Sequence, residues 1–356
     1  MGTHAVNLIQ SPKPLALLHF DFPKFPNSSH LYHSHLSLFH SSNPSSKSTA
    51  LSLSSLSLSL SLSLSSYAVL PKASSTAGKL DEESETTSSG LHGKNDLLIV
   101  GPGVLGRLVA QQWRQEYPGC QVYGQTATSD HHDELVEIEI IPSVKGTKLP
   151  RQFSYVIFCA PPSKSLDYAA DVREAISSWN GEGSFVFTSS SAPYDCTDNG
   201  YCDEDTPVVP LGRSPRTDVL LKAEDAVLEY GGCVLRLAGL YKADRGAHTY
   251  WLNQETSELR PDHVVNLIHY EDAASLAIAI MKNDQHGRIF LGCDNHPLSR
   301  QEIMDLVNGC GKFSKKFEGF TGTDGVLGKR LNNTKTREEL GWQPKYPSFA
   351  QFLKAM

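Results

Sequence analysis

Three glycines, Gly101, Gly103 and Gly106, stand at G-x-G-x-x-G spacing within the stretch Asn95 to Arg107, NDLLIVGPGVLGR. The chemistry such spacing serves is the binding of a dinucleotide through its pyrophosphate. The first glycine permits a tight turn, the second lets backbone approach the phosphates, and the third lets a helix pack close on a strand. The anion then rests on free N–H groups at the positive end of that helix, here the turn holding Val104, Leu105 and Arg107. The spacing carries this meaning only between a strand and a helix. Leu97 to Val100 is a short apolar run, and Val104, Leu105, Leu108, Val109 and Ala110 recur with helical period.

Cofactor choice is written further on. Pro118-Gly119 breaks the chain before a second strand, Cys120 to Tyr123. Sites that prefer NAD carry an Asp or Glu about twenty residues past the glycines to hold the ribose hydroxyls. Here the stretch reads Gly124-Gln125-Thr126-Ala127-Thr128-Ser129, with neither an acid nor a base. NAD and NADP both stay open. Small hydroxyl residues accept a 2′-phosphate and Arg107 lies close, which tilts the choice toward NADP.

The elements that must position these residues alternate regularly. A short helix near His131 to Leu135 precedes a strand near Val136 to Ile141. Phe153 to Cys159 is a continuous apolar run, as expected of a strand buried on both faces of a parallel sheet. It ends in Ala160-Pro161, at the carboxyl edge where ligands bind in open α/β sheets. Ser165 to Trp179 is helical in pattern, and the strand Ser184 to Phe187 runs into Thr188-Ser189-Ser190-Ser191. Asp218 to Tyr230 is helical and Cys233 to Ala238 is strand. This alternation predicts an α/β fold with one doubly wound parallel sheet, the Rossmann arrangement, over 95–239. Residues 240–356 are read as a smaller α+β lobe completing a cleft over the sheet edge. Within it, Val264 to His269 is a strand, Asp272 caps a helix from Ala273 to Met281, Arg288 to Leu291 is a strand, and Ser299 with Glu302 forms a capping box. Asn333 precedes a last helix that stops at Gly341.

Composition sets limits on the remainder. Residues 1–80 hold one acid, Asp21, against five lysines, and the tract 51–64 is half serine. An acid-poor, hydroxyl-rich N-terminus matches a plastid transit peptide, and the absence of arginine before Arg107 is unlike a mitochondrial presequence. The alternative is a retained Ser-rich disordered tail. Residues 81–94 form a polar linker. Without residues 1–80 the formal charge moves from −7 to −11, because five lysines and one acid leave with them. Broad attraction to nucleic acid or anionic lipid is therefore not expected, and no stretch is long and apolar enough to span a bilayer. The cluster Lys312, Lys315, Lys316, Lys329 and Arg330 reads as solvated surface. Seven cysteines occur without C-x-x-C pairs. Cys159 and Cys233 read as core, and Cys196 and Cys202 share one loop that can respond to redox.

Several pieces recur in a familiar order: Gly101-Pro102-Gly103-Val104-Leu105-Gly106, Phe187-Thr188-Ser189-Ser190-Ser191-Ala192-Pro193-Tyr194, Asp203-Glu204-Asp205-Thr206-Pro207, Leu235-Arg236-Leu237-Ala238-Gly239-Leu240-Tyr241, Ile268-His269-Tyr270-Glu271-Asp272 and Glu339-Leu340-Gly341-Trp342. Together they resemble an atypical member of the extended short-chain dehydrogenase/reductases, the NAD-dependent epimerase/dehydratase-like family, over about residues 95 to 350. The resemblance implies a nicotinamide cofactor, a small organic substrate, and a Tyr-x-x-x-Lys pair with a Ser. In that family the Tyr serves as general acid/base, and the Lys lowers its pKa while holding the nicotinamide ribose. Ser190 falls in the Ser place and Ser189 beside it can hold phosphate or ribose. The pair itself is missing. With Lys222 as the Lys, the Tyr place is Asp218; with Glu224 as the family's later helix acid, the two places are Arg216 and Leu220. Substitute proton donors are Tyr194, Lys222 and His269. Two functions follow: an NAD(P)-dependent oxidoreductase or epimerase-type enzyme, or a silent cofactor-binding scaffold or redox-sensing protein.

Overall fold

The computed structural model describes residues 93–356; the transit-peptide reading of 1–80 and most of the linker lie outside them. In chain order the first half runs β1 (Leu97–Val100), α1 (Val104–Glu116), β2 (Val122–Thr126), α2 (His132–Glu137), β3 (Ile140–Val144), β4 (Phe153–Phe158), α3 (Tyr168–Ile176) and β5 (Trp179–Ser190). Next come β6 (Gly200–Cys202), α4 (Pro215–Glu229), β7 (Cys233–Leu237), β8 (Gly239–Tyr241), α5 (Ala247–Gln254), β9 (Thr256–Ser257), β10 (Val264–Val265) and β11 (Leu267–His269). The chain closes with α6 (Tyr270–Lys282), β12 (Ile289–Gly292), β13 (Leu298–Ser299), α7 (Arg300–Gly309), β14 (Gly319–Phe320), β15 (Lys329–Leu331), α8 (Thr334–Leu340) and α9 (Phe349–Ala355).

Seven strands form one parallel sheet in the order β12-β7-β5-β4-β1-β2-β3. The apolar strand runs are continuous because both faces are covered. Leu97, Ile99, Ile157, Val186 and Leu235 face α1 and α6, while Leu98, Val100, Val156, Phe158 and Phe187 face α3 and α4. The strand order reverses between β1 and β4, so the crevice at their carboxyl ends is the topological switch point where such sheets bind ligands. The doubly wound sheet predicted from the alternation is present. A third core, under Tyr241, Trp251, Met304 and Phe349, holds α5, α7 and α9 with short strand pairs.

Several bounds differ from expectation; the strand expected over 264–269, for one, divides into β10 and β11, which pair with β13 and β8. Val136 to Ile138 belongs to the end of α2 and its cap, because Glu139 turns the chain at φ +59° and only Ile140 reaches register with Val122. Trp179, read as the end of a helix, instead starts β5, which pairs Trp179 with Phe153. Asp272 does not cap α6. His269 does, accepting from Glu271 N through Nδ1, while the Asp272 carboxylate accepts from the backbone N–H groups of Lys345 and Tyr346. The Ser299–Glu302 capping box and the left-handed Gly341 stop form as predicted.

Candidate functional site

Each glycine of the opening motif meets a different physical demand. Gly101 leaves β1 at φ +81°, and a Cβ there would fall 2.5 Å from Ala160 N. The turns after β1 and β4 therefore touch through backbone alone. Gly106 lies against Ile99, whose Cγ2 would be 2.8 Å from an added Cβ, so α1 packs directly on β1. Gly103 has open space where its side chain would be. It is the N-cap of α1 and supplies no side-chain cap, and the first turn carries no acid. The N–H groups of Val104, Leu105 and Gly106 thus lack intrahelical acceptors and meet the positive end of a 13-residue helix.

A cavity of about 360 Å³ opens beside this turn. Gly101, Gly103, Arg107, Gln125, Thr126, Ala160 and Pro161, all expected at a cofactor, line it. Thr126 turns its hydroxyl inward, within 2.8 Å of Thr128 O and 2.7 Å of His132 Nε2. Arg107 is held by Pro102 O and by Glu134, which also takes His131. The Arg107 hydrogen bond is the main reason the Glu134 carboxyl stays below the usual carboxylate range. Lys145, just past the end of β3, reaches the same cavity with Asp171 and Glu174 as partners. Its bond to Asp171 raises the ammonium pKa. Sequence reasoning passed over Lys145. Its place just past the carboxyl end of a parallel strand, the edge at which such sheets bind ligands, was the available signal.

The reactive end is arranged differently from expectation. Ser190 sits half-buried at the last position of β5, with Oγ accepting from Ala192 N at 3.2 Å. Ser189, expected to hold cofactor, points the other way: it is buried and donates to Glu224 Oε1. Glu224 in turn grips Arg236 of β7 through Nε and Nη2, the latter at 2.7 Å, with both side chains buried. At the places where the Tyr and Lys were sought, Arg216 and Lys222 are exposed, Asp218 is half-buried and Leu220 is buried.

None of the three substitute donors stands free in the cleft. Tyr194 is 2 % exposed, its ring under the Arg236 guanidinium at 4.7 Å, its hydroxyl without a partner, and burial pushes its pKa up to about 12. Lys222 lies on the solvent face of α4, because Leu221, Ala223 and Glu224 take the buried one. His269 is packed by Tyr346, Phe352 and Tyr241, and burial lowers its pKa to about 4. These placements correct Tyr194 and Lys222 as catalytic candidates: Tyr194, in the loop after β5, is packed under Arg236, and helix periodicity turns Lys222 to solvent.

Two surface readings also change. Lys329, counted with a solvated basic cluster, is turned inward and donates to the carbonyls of Ser191, Ala192 and Tyr194, clamping the loop that leaves Ser190. Glu204, from the acid run 203–205, is buried and accepts from Thr336 N and Oγ1, tying that loop to α8. Cys159, read as core, is only partly covered and lines the cavity.

No family model matches the chain. Among curated proteins it is 28% identical over 166 residues to Protein YeeZ of Escherichia coli K12, a match that covers 46% of this chain and 58% of that protein. Among solved structures, a functionally unknown conserved protein from Silicibacter pomeroyi superposes at TM-score 0.61 with 21% identity, over 73% of this chain and 97% of its own. dTDP-glucose 4,6-dehydratase from Bacillus anthracis, in complex with NAD, gives 0.59 and 17%, over 73% and 94%. UDP-glucuronic acid 4-epimerase from Bacillus cereus, also with NAD, gives 0.60 and 15%, over the same shares. The chain shares the fold of these epimerases and dehydratases. Among the described residues no helix is long and apolar enough to cross a membrane.

Proposed function

We propose that this protein holds a nicotinamide dinucleotide across the β1–β4 switch point and acts, in the plastid, as an oxidoreductase or epimerase-type enzyme on a small organic substrate. One observation carries the reading: the uncapped N-terminus of α1 faces open space at Gly103, beside a cavity that reaches from the glycine turn to Lys145. The solved structures of like fold in complex with NAD support it. When bound, the dinucleotide supplies hydride transfer; the chain's own part is to seat the pyrophosphate on α1 and to present Ser190 at the sheet edge. Calorimetric titration with the four nicotinamide forms tests the binding half, and heat from none of them sinks it.

NADP is the favoured form. No acid stands at Ala127 to Ser129 to take a 2′-hydroxyl, while Arg107 and His131 border that end of the cavity. Arg107→Ala is expected to weaken NADP(H) about tenfold, the loss of one charge-assisted contact of ~1.4 kcal/mol, and to leave NAD(H) nearly unchanged. Equal losses for both cofactors remove the preference.

A second reading, a cofactor-binding scaffold or redox sensor without turnover, is favoured by a specific feature: neither register of α4, Asp218 with Lys222 or Arg216 with Leu220, supplies the tyrosine, and Tyr194, Lys222 and His269 are all directed elsewhere. Tight cofactor binding with no turnover across nucleotide-sugar and small carbonyl substrates supports it, whereas turnover abolished by Ser190→Ala supports the enzyme. Fusing residues 1–92 to a fluorescent reporter tests the plastid placement.

A further inference from the structure

Outside the dinucleotide cavity two thiols meet. Gly200 and Cys202 lie on one face of β6, since strand residues two apart share a face. Cys196, from the preceding loop, folds back over that face. A Cβ on Gly200 would fall 2.6 Å from its sulfur, so the bare glycine leaves it room, and its thiol donates at 3.8 Å to the carbonyl of Tyr201, the residue next to Cys202. The backbone around the pair is fixed: Asn199 N donates to Thr197 O and Gly328 O, and β6 pairs with β15 through Lys329 opposite Gly200 and Leu331 opposite Cys202. Cys196 is half-buried and reachable, whereas Cys202 is 1% exposed. The other five cysteines come from separate elements.

We propose that Cys196 and Cys202 form a redox-active dithiol that closes to a disulfide beside the Ser190 loop, with a small-molecule disulfide as its oxidant. The Cys196 thiolate attacks one sulfur of that disulfide. The S–S bond breaks, one thiolate leaves, and a mixed disulfide forms. Cys202 then gives up its proton and attacks the Cys196 sulfur, expelling the second thiol. Two protein thiols lose two electrons and two protons, and the small disulfide gains both. Accessibility sets the order: burial holds Cys202 protonated, with its pKa pushed up to about 12, so Cys196 attacks first. At Cys202 the Lys329 ammonium works against that burial and favours the thiolate needed for the second attack. The same ammonium clamps the carbonyls of Ser191, Ala192 and Tyr194, so the dithiol adjoins the loop that presents Ser190. The proposal does not depend on the nucleotide reading.

The test equilibrates the full chain with mixtures of reduced and oxidised glutathione, alkylates free thiols, and weighs the peptides. The expected result is the loss of two of the seven alkylatable thiols, both in the peptide spanning 196–202, reversed by dithiothreitol. Cys202→Ser should accumulate glutathione on Cys196, since nothing resolves it. The proposal is overturned if both cysteines stay fully alkylated at the most oxidising glutathione ratio, or if glutathione persists on Cys196 in the unaltered chain without ring closure.

Discussion

At Gly103 the backbone is extended, with φ −78° and ψ −154°, a conformation any residue adopts, and the space around it is open. Gly103→Ala is therefore expected to leave folding nearly intact, at a cost below about 1 kcal/mol for a poorer N-cap. Its methyl group would enter the space a pyrophosphate needs, so dinucleotide affinity should fall at least about tenfold. Gly101→Ala differs, because φ +81° and the Ala160 backbone both oppose a Cβ; it should lose roughly 1–3 kcal/mol of stability as well as binding. Thermal melts beside calorimetric titrations separate the two, and a Gly103→Ala protein that binds normally would remove the pyrophosphate from this turn. His269 makes a prediction about pH. Burial lowers its pKa to about 4, below the usual ~6.5. Between those values the unfolded chain takes up a proton that the folded chain refuses, so this contribution to stability is complete above about pH 6.5, falls on acidification and is gone below about 4. Asp294, raised to about 7 by burial, runs the opposite way and loses stability as pH rises toward 7. The difference between the unaltered chain and His269→Phe isolates the histidine. From pH 7 to pH 4 the unaltered chain should lose roughly 3 kcal/mol more than the variant, at ~1.4 kcal/mol per pH unit, in urea unfolding.

Between elements, the Ser189–Glu224–Arg236 network joins β5, α4 and β7 beneath the sheet edge. Removing one partner strands a buried charge. Glu224→Leu should cost about 3–5 kcal/mol, and adding Arg236→Met should recover most of it, as replacing a buried ion pair by apolar groups of like volume often does. Denaturant unfolding of the single and double variants measures this, and equal losses in both would show that the pair adds nothing beyond packing. This network also marks what sequence could and could not convey. The strands around Ile99, Ile157 and Val234 were readable because burial on both faces leaves an unbroken apolar run, and the glycines because their spacing serves backbone contacts alone. The direction of Ser189 against Ser190 was not readable among three successive serines, since one step along a strand reverses the face. Nor was the burial of Glu224, which depends on an arginine twelve residues later across two elements. Lys329 lay hidden for a similar reason: its carbonyl acceptors are more than 130 residues away, and local composition resembles any exposed basic stretch.

On the scale of the molecule, the sheet is closed by chain that follows residue 240. β12 pairs with β7, with Phe290 opposite Leu235, and α6 packs along α1. Val109, Ala110 and Trp113 of α1 share one core with Ala273, Leu276, Ala277 and Ile280 of α6. A dinucleotide half cut at residue 239 would keep β1, α1 and the glycine turn but expose that core face and the β7 edge. Burying a large apolar side chain is worth about 1.5–3 kcal/mol, and a domain's net stability is only about 5–15 kcal/mol, so a few such exposures exceed it. An unpaired β7, apolar in all but Arg236, would also offer an edge for aggregation. The expected outcome is that residues 93–239 are insoluble, or bind an apolar-surface dye and melt without a cooperative transition, whereas residues 93–356 melt in one. Circular dichroism of the two chains decides it. If the shorter chain unfolds cooperatively and still takes up dinucleotide, α6 and β12 are dispensable to the cofactor half, and the cradle at Gly101 to Gly106 rests on β1, α1 and their immediate neighbours alone.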